Sequence, residues 1–338
     1  MRSLTRALLV VVIPALLAAG CSAGGGGTPS AQPASSTRAV APKATPPATP
    51  PAATVATPAP TLASGQYVAL GDSYTAAPKI SGQVGTPAGC GRSSDSYPML
   101  VARQLGLSAS RVDDVSCDSA TIADLTGSQV TSAGTNPAQL GALSPGTTLV
   151  TLGVGGNDVH WTAILGECVK LDARTVLLGS STAQSSAQCQ KHYTAGRQDQ
   201  VQQYIRAAAG PLAAALAQVK QRAPNARVYV IGYPDLMPSS GNSACEHTFF
   251  ITPPDMAFLN TEEQRLNAML RQQATAAGAT YVDTYTPSQG HSACAAPKER
   301  WVEPWLPASP ADPLHPDATG ERGMATALLR AIAASQRG

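Results

Sequence analysis

The fold is decided by the stretch Tyr67-Val68-Ala69-Leu70-Gly71-Asp72-Ser73-Tyr74-Thr75. Its apolar residues 67–70 predict a short buried strand, and Gly71 and Asp72 predict a tight turn directly after it. This turn brings the hydroxyl of Ser73 to the carboxyl end of the strand. A serine in this position can act as a nucleophile if the fold also supplies a base and oxyanion donors. Without them, a Gly-Asp-Ser turn is an ordinary feature of α/β proteins.

Further apolar runs alternate with stretches of helical periodicity. The predicted strands are 67–70, 111–115, 148–152, 228–231 and 280–282, and the predicted helices begin near Asp95 or Ser96, span about 198–222 and 256–270, and start again near Asp317. This alternation favours a parallel sheet with helices on both faces, whose functional groups lie beyond the carboxyl ends of the strands. Ser73, Asn157, Asp235 and Asp283 all follow such ends. Segments 158–197 and 233–252 are expected to be irregular walls of a pocket.

The N-terminus has the features of a targeting segment. Arg2 and Arg6 precede an apolar run that is too short to span a membrane comfortably, and small residues then lead to Cys21. Residues 1–20 therefore resemble a bacterial lipoprotein signal peptide, after which Cys21 is acylated; a plain secretory signal is the alternative. Residues 21–64 are rich in Pro, Thr and Ala and predict a disordered stalk before a domain at 65–338. We expect an exported protein, lipid-anchored on the outer face of the cytoplasmic membrane or in the cell envelope.

Composition limits the partners and indicates disulfides. The formal net charge is +2 and aromatic residues make up 4% of 338 residues, so neither a basic field nor a stacking surface for nucleic acid is expected. Besides Cys21 the chain has an even set of cysteines, which in an exported protein indicates disulfides. The set is Cys90, Cys117, Cys168, Cys189, Cys245 and Cys294. Their pairing stays open at this point, and spacings typical of a zinc site are absent from the sequence.

A base for Ser73 is available near the C-terminus. Of the five histidines, His315 lies in Asp312-Pro313-Leu314-His315, just before the last predicted helix. An aspartate three residues before a histidine can fold back and accept the ring N–H, which fixes the tautomer. The alternative is that Asp312 is a turn residue and His315 a surface histidine.

Three motifs in order resemble the GDSL/SGNH hydrolases. They are Gly71-Asp72-Ser73-Tyr74, Gly155-Gly156-Asn157-Asp158 and Asp312-x-x-His315, and the resemblance covers about residues 66–335. It implies a flavodoxin-like three-layer α/β/α sandwich with a five-stranded parallel sheet. The cysteines resemble those of the actinobacterial secreted esterase and lipase branch, which implies the pairs Cys90–Cys117, Cys168–Cys189 and Cys245–Cys294.

The resemblance also implies roles for individual residues. Ser73 is expected to be the nucleophile, His315 the general base and acid, and Asp312 the group that orients it. The side chain of Asn157 and the N–H of Ser73 are expected to bind the oxyanion. The family's third donor is a glycine N–H; Ser119 stands at that position, where a backbone N–H survives but a positive φ is less favourable.

The implied activity is hydrolysis of acyl esters of lipids or acylated glycans by a monomer, with no cofactor and no metal. One alternative is an acyltransferase with the same residues, in which a sugar hydroxyl replaces water. The other is a lipoprotein that binds lipid or cell-wall fragments without turnover. Such a binding protein has no need for Ser73, Asn157, Asp312 and His315 together, so their joint presence favours an enzyme.

Overall fold

The structure, a computed structural model, describes residues 65–178, 186–196, 198–240 and 243–336. The signal peptide, the acylated Cys21 and the stalk predicted for residues 1–64 lie outside this part of the chain. Within it, none of the helices combines the length and apolar character needed to cross a membrane.

The centre of the domain is a parallel sheet of five strands in the order β2-β1-β5-β6-β7. These are β1 (Gln66–Gly71), β2 (Val112–Asp114), β5 (Thr147–Gly153), β6 (Arg227–Ile231) and β7 (Thr280–Val282), while β3 (Gln129–Thr131) and β4 (Gly134–Asn136) form a separate antiparallel pair. The five predicted strands are confirmed to within one residue at each end. This order is that of flavodoxin-like sheets.

Helices cover both faces of the sheet, which confirms the three-layer α/β/α architecture. They are α1 (Ser73–Ala76), α2 (Tyr97–Gln104), α3 (Trp161–Leu177), α4 (Gln188–Thr194), α5 (Gln200–Arg222), α6 (Ser243–Phe249), α7 (Pro253–Ala276), α8 (Tyr285–Ser288) and α9 (Ala318–Ser335). Because side chains alternate along a strand, Val68 and Leu70 of β1 pack in the core with α3, α5 and α7, whereas Tyr67 and Ala69 pack in the core with α2 and α9.

Two segments expected to be irregular contain helices. The first, 158–197, holds α3 and α4, and the second, 233–252, holds α6. The buried face of α3 includes Ile164, Leu165, Cys168 and Val176, which recur at helical spacing. A buried acid, Asp172, interrupts that pattern and accepts the N–H of Thr252 at 3.0 Å.

The disulfides are the three that the resemblance implied, Cys90–Cys117, Cys168–Cys189 and Cys245–Cys294. The second joins α3 to α4, and the first ties the loop after β2 to the loop before α2. A bridge that closes a loop of this length stabilises a fold by about 3 kcal/mol in chain-entropy estimates. The bridges therefore hold the loops at the carboxyl edge of the sheet.

The end of β1 is shaped by a close approach that requires glycine. A Cβ on Gly71 would lie 2.5 Å from the carbonyl oxygen of Gly153 and 2.2 Å from Oγ1 of Thr75. The side chain of Gln139 also bonds both backbone groups of Gly71, accepting from its N–H at 2.8 Å and donating to its carbonyl at 2.9 Å. The chain can therefore turn sharply out of β1 into α1, whose first residue is Ser73.

Candidate active site

Ser73 begins the short helix α1 at the carboxyl edge of the sheet. Asp72 caps this helix, because its Oδ1 accepts the N–H of Tyr74 at 3.0 Å. The serine is 6% exposed, and its Oγ lies 2.7 Å from Nε2 of His315. Residues 242 positions apart are thus joined in a contact suited to proton transfer.

His315 lies in the loop before α9, where Asp317 caps the helix. Its Nδ1 is 2.8 Å from the carbonyl oxygen of Pro313. A carbonyl can only accept, so Nδ1 carries the ring proton and Nε2 is left to accept from Ser73. Burial lowers the pKa of His315 below its usual range, while the contact with Pro313 and the charge of Asp312 oppose this shift. The imidazole is therefore neutral near physiological pH and can take up the hydroxyl proton.

The role expected of Asp312 requires a correction. Its carboxylate forms an ion pair with Lys79, and the His315 ring bonds the main chain of Pro313 instead. Leu314 has a left-handed φ of +66°, and its N–H is bonded to the carbonyl of Glu303 at 3.0 Å. This turn presents the Pro313 carbonyl to the imidazole, so the Asp-x-x-His spacing does not produce a side-chain pair.

The variant Asp312→Asn is therefore expected to retain kcat/KM to within about fivefold. A carboxylate that orients a catalytic histidine contributes about 10⁴-fold to kcat, whereas Asp312 acts on His315 only through its charge at a distance. Steady-state rates on a short p-nitrophenyl ester measure the difference. A loss beyond about 100-fold in a folded protein would show that the carboxylate does orient the ring.

Three residues that line the cavity beside Ser73 offer N–H donors. One hydrogen of the Asn157 amide is used by the carbonyl of Ala120 at 2.9 Å, which leaves the second free for an oxyanion. In the described part of the chain, the N–H groups of Ser73 and Ser119 make no hydrogen bond. Ser119 has a φ of +62°, so it does hold the left-handed conformation at a cost of about 1 kcal/mol. All three residues line the same cavity.

Tyr233, which follows β6, joins two of these loops and was not singled out from the sequence. Its hydroxyl donates to Oδ2 of Asp72 and accepts the N–H of Gly156 at 2.8 Å. The side chain of Asn267 holds the Tyr233 backbone through bonds of 2.8 and 2.9 Å. Burial raises the pKa of Asp72 to about 7, and the bond from Tyr233 opposes this. In the sequence, the position of Tyr233 two residues beyond the end of a strand is the signal that indicates a role at the site.

We expect Tyr233→Phe to lower kcat about tenfold with little change in KM. Removal of the hydroxyl leaves Oδ2 of Asp72 and the N–H of Gly156 without this partner, and so loosens the spacing between Ser73 and Asn157. The matched control is Tyr229→Phe, which removes a hydroxyl that contacts Ser335 at the far end of the sheet. Equal losses in the two variants would contradict a positioning role for Tyr233.

Two other acids beyond strand ends lie outside the cavity. Asp283 accepts the N–H of Thr286 at 2.9 Å and faces Arg271. Asp235 is buried and accepts from the amide of Asn260 at 2.9 Å; burial raises its pKa to about 7. The prediction that functional groups follow the carboxyl ends of the strands therefore places Ser73 and Asn157 at the site, but it does not hold for Asp235 and Asp283.

The cavity beside Ser73 has a volume of about 180 Å³ and is lined by both polar and apolar side chains. Its walls are Asp72, Ser73, Tyr74, Asp118, Ser119, Gly156, Asn157, Trp161, Thr162, Leu165, Tyr233, Glu263, Leu266, Trp305, Pro313, Leu314 and His315. Over the described ranges there is no group of three or more His, Cys, Asp or Glu side chains that could hold a metal ion. A hydroxyl, a neutral imidazole and three N–H donors can together drive attack on an ester carbonyl.

Known proteins are similar to this chain in sequence and in fold. Residues 69–322 match the GDSL-like Lipase/Acylhydrolase family. The chain is 37% identical to Lipase 2 of Streptomyces coelicolor over 270 residues, which cover 80% of this chain and 86% of that protein. It is similar to the crystal structures of phospholipase A1 from Streptomyces albidoflavus NA297 (TM-score 0.63) and of the extracellular lipase from Streptomyces rimosus (TM-score 0.62), each 25% identical and covering 79% of this chain and 99% of that one. The chain belongs to the GDSL-like lipase/acylhydrolase family and is a carboxylic ester hydrolase.

Proposed function

We propose that the enzyme hydrolyses esters through an acyl-enzyme on Ser73. Oγ of Ser73 attacks the ester carbonyl carbon while its proton passes to Nε2 of His315. The amide of Asn157 and the N–H groups of Ser73 and Ser119 bind the oxyanion, and His315 then protonates the departing alcohol. Water then gives a proton to Nε2 of His315 and attacks the acyl carbonyl carbon, the bond to Oγ of Ser73 breaks, and His315 returns the proton to Oγ as the acid leaves. The 2.7 Å contact between Ser73 and His315 carries this proposal.

The substrates we propose are acyl esters of lipids or acylated glycans. Support comes from the apolar walls of the cavity, formed by Trp161, Leu165, Leu266 and Trp305. Support also comes from the relatives, which are named as lipases and as a phospholipase A1. A binding role without turnover is disfavoured, since it does not need a hydroxyl in contact with a neutral imidazole.

The acyl-enzyme is tested directly by mass spectrometry. The protein is mixed with p-nitrophenyl butyrate, quenched in acid within milliseconds, and digested. We expect a butyryl adduct on the peptide that contains Ser73, and labelling of the same residue by a fluorophosphonate probe. A protein that hydrolyses the ester while Ser73 stays unmodified by both reagents would overturn the proposal.

We further propose that the enzyme works as a monomer at the cell surface, held by a lipid on Cys21. Support comes from the sequence of the first 64 residues and from a site built of one chain. The variant Cys21→Ala is expected to move the protein from the membrane fraction into the medium and to abolish labelling by a palmitate analogue. Membrane retention of Cys21→Ala equal to that of the wild type would contradict the anchor.

A further inference from the structure

The cavity beside Ser73 contains an acid that the reaction does not use. Glu263 lies on α7, is 4% exposed and lines the cavity together with Ser73 and His315. Its Oε2 accepts the N–H of Leu236 at 3.2 Å. Within the described residues its carboxyl has no ion pair, and its other oxygen has no hydrogen-bond partner. The charge that acts on it belongs to another acid, Asp235, and raises its pKa.

Its sequence neighbour is a buried acid with a charged partner. Glu262 is also buried, and its carboxylate forms an ion pair with Arg265 on the next turn. Glu263 has no comparable partner, although a buried polar group without one destabilises a fold. Burial, reinforced by Asp235, raises the pKa of Glu263 well above its usual range. This shift favours the protonated carboxyl, which carries an O–H donor.

The occupant of this cavity follows from the order of the chemical steps. The alcohol leaves after the first half-reaction and water must enter in its place, whereas the acyl group stays on Ser73 throughout. A cavity beside the nucleophile is thus suited to the acyl group. Trp161, Leu165 and Leu266 fit its hydrocarbon part, and Glu263 lines the same cavity.

We propose that Glu263 is a specificity-determining residue that hydrogen-bonds an oxygen on the acyl chain. The enzyme then prefers acyl groups that carry a hydroxyl, ether or oxo oxygen over hydrocarbon chains of the same length. A plain chain leaves the Glu263 donor unpaired in the complex, and this penalty is the source of the selection. The inference rests on the proposed acylation of Ser73 and adds the nature of the acyl group.

The test uses p-nitrophenyl esters in which single methylene groups are replaced by an ether oxygen. Hexanoate is compared with its 3-oxa, 4-oxa and 5-oxa analogues, which have nearly the same shape and accept a hydrogen bond at successive positions. Each kcat/KM is divided by the rate of hydroxide-catalysed hydrolysis, which removes differences in intrinsic reactivity. The proteins are the wild type, Glu263→Leu, Glu263→Gln and the matched control Glu262→Gln.

We expect one oxa position to be preferred about tenfold over hexanoate by the wild type, by Glu262→Gln and by Glu263→Gln, whose amide still donates. In Glu263→Leu this preference should disappear, because kcat/KM rises for the hexanoate ester and falls for the oxa ester. Absence of any oxa preference in the wild type overturns the proposal, as does an unchanged preference in Glu263→Leu. Fluorophosphonate labelling of Ser73 in the wild type separates the proposal for Glu263 from the proposal of an acyl-enzyme. Labelling without an oxa preference refutes the role of Glu263, whereas absence of labelling refutes the acyl-enzyme itself.

Discussion

Ser73→Ala is expected to lower kcat on a short p-nitrophenyl ester by on the order of 10⁵- to 10⁶-fold while the fold is retained. The substitution removes the oxygen that contacts Nε2 of His315, so no acyl-enzyme can form. The residual rate comes from water activated beside the remaining N–H donors. Stopped and continuous assays at high enzyme concentration measure it, with the melting temperature as the check on folding.

The double variant distinguishes a catalytic unit from two independent contributions. His315→Ala alone should be nearly as damaging as Ser73→Ala, and the double variant little worse than either, because each residue acts only through the other. Multiplicative losses would mean that Ser73 and His315 do not share one step. A rate for Ser73→Ala within tenfold of the wild type would remove the serine from the mechanism altogether.

Asn157→Ala is expected to lower kcat by about 100- to 1,000-fold, equivalent to about 2.7–4 kcal/mol of barrier, with KM changed little. The amide donates to charge that develops only in the transition state, so ground-state binding is nearly unaffected. The bond from Asn157 to the carbonyl of Ala120 holds the amide in place beforehand. Such a preorganised donor needs no reorganisation at the moment of reaction.

Asn157→Asp provides the informative companion variant. It has nearly the shape of asparagine, but a carboxylate cannot donate, and it repels both the oxyanion and the Ala120 carbonyl. We expect a loss at least as large as that of Asn157→Ala, measured as kcat on the same ester. A fully active Asn157→Asp enzyme would show that the side chain fills space and does not bind the oxyanion.

Local sequence patterns were sufficient for the sheet and for the positions of Ser73, Asn157 and His315. Each strand is a short apolar run with a turn at its end, and the carboxyl ends of parallel strands meet at one edge. The same patterns failed for α3, where a buried acid interrupts the apolar face. They also failed to predict Tyr233 and Glu263, because a hydroxyl or carboxyl becomes part of a site only through partners far away in the chain.

The error at Asp312 has a different physical origin. Sequence spacing shows that an aspartate can reach a histidine. It does not show which other groups compete for the carboxylate or for the imidazole. Lys79, from the loop after α1, binds the carboxylate, and a left-handed Leu314 turns the Pro313 carbonyl to the ring. Both competitors depend on backbone conformation, which three residues of sequence do not determine.

Orientation of His315 by a main-chain carbonyl affects which mutations can disturb the active site. Codon changes replace side chains, yet every residue that could occupy position 313 keeps its carbonyl oxygen. The contact to Nδ1 therefore survives a point mutation at position 313 as long as the turn keeps its shape. The shape of the turn around Leu314, and not the side chain at position 313, is therefore what keeps the imidazole in its orientation.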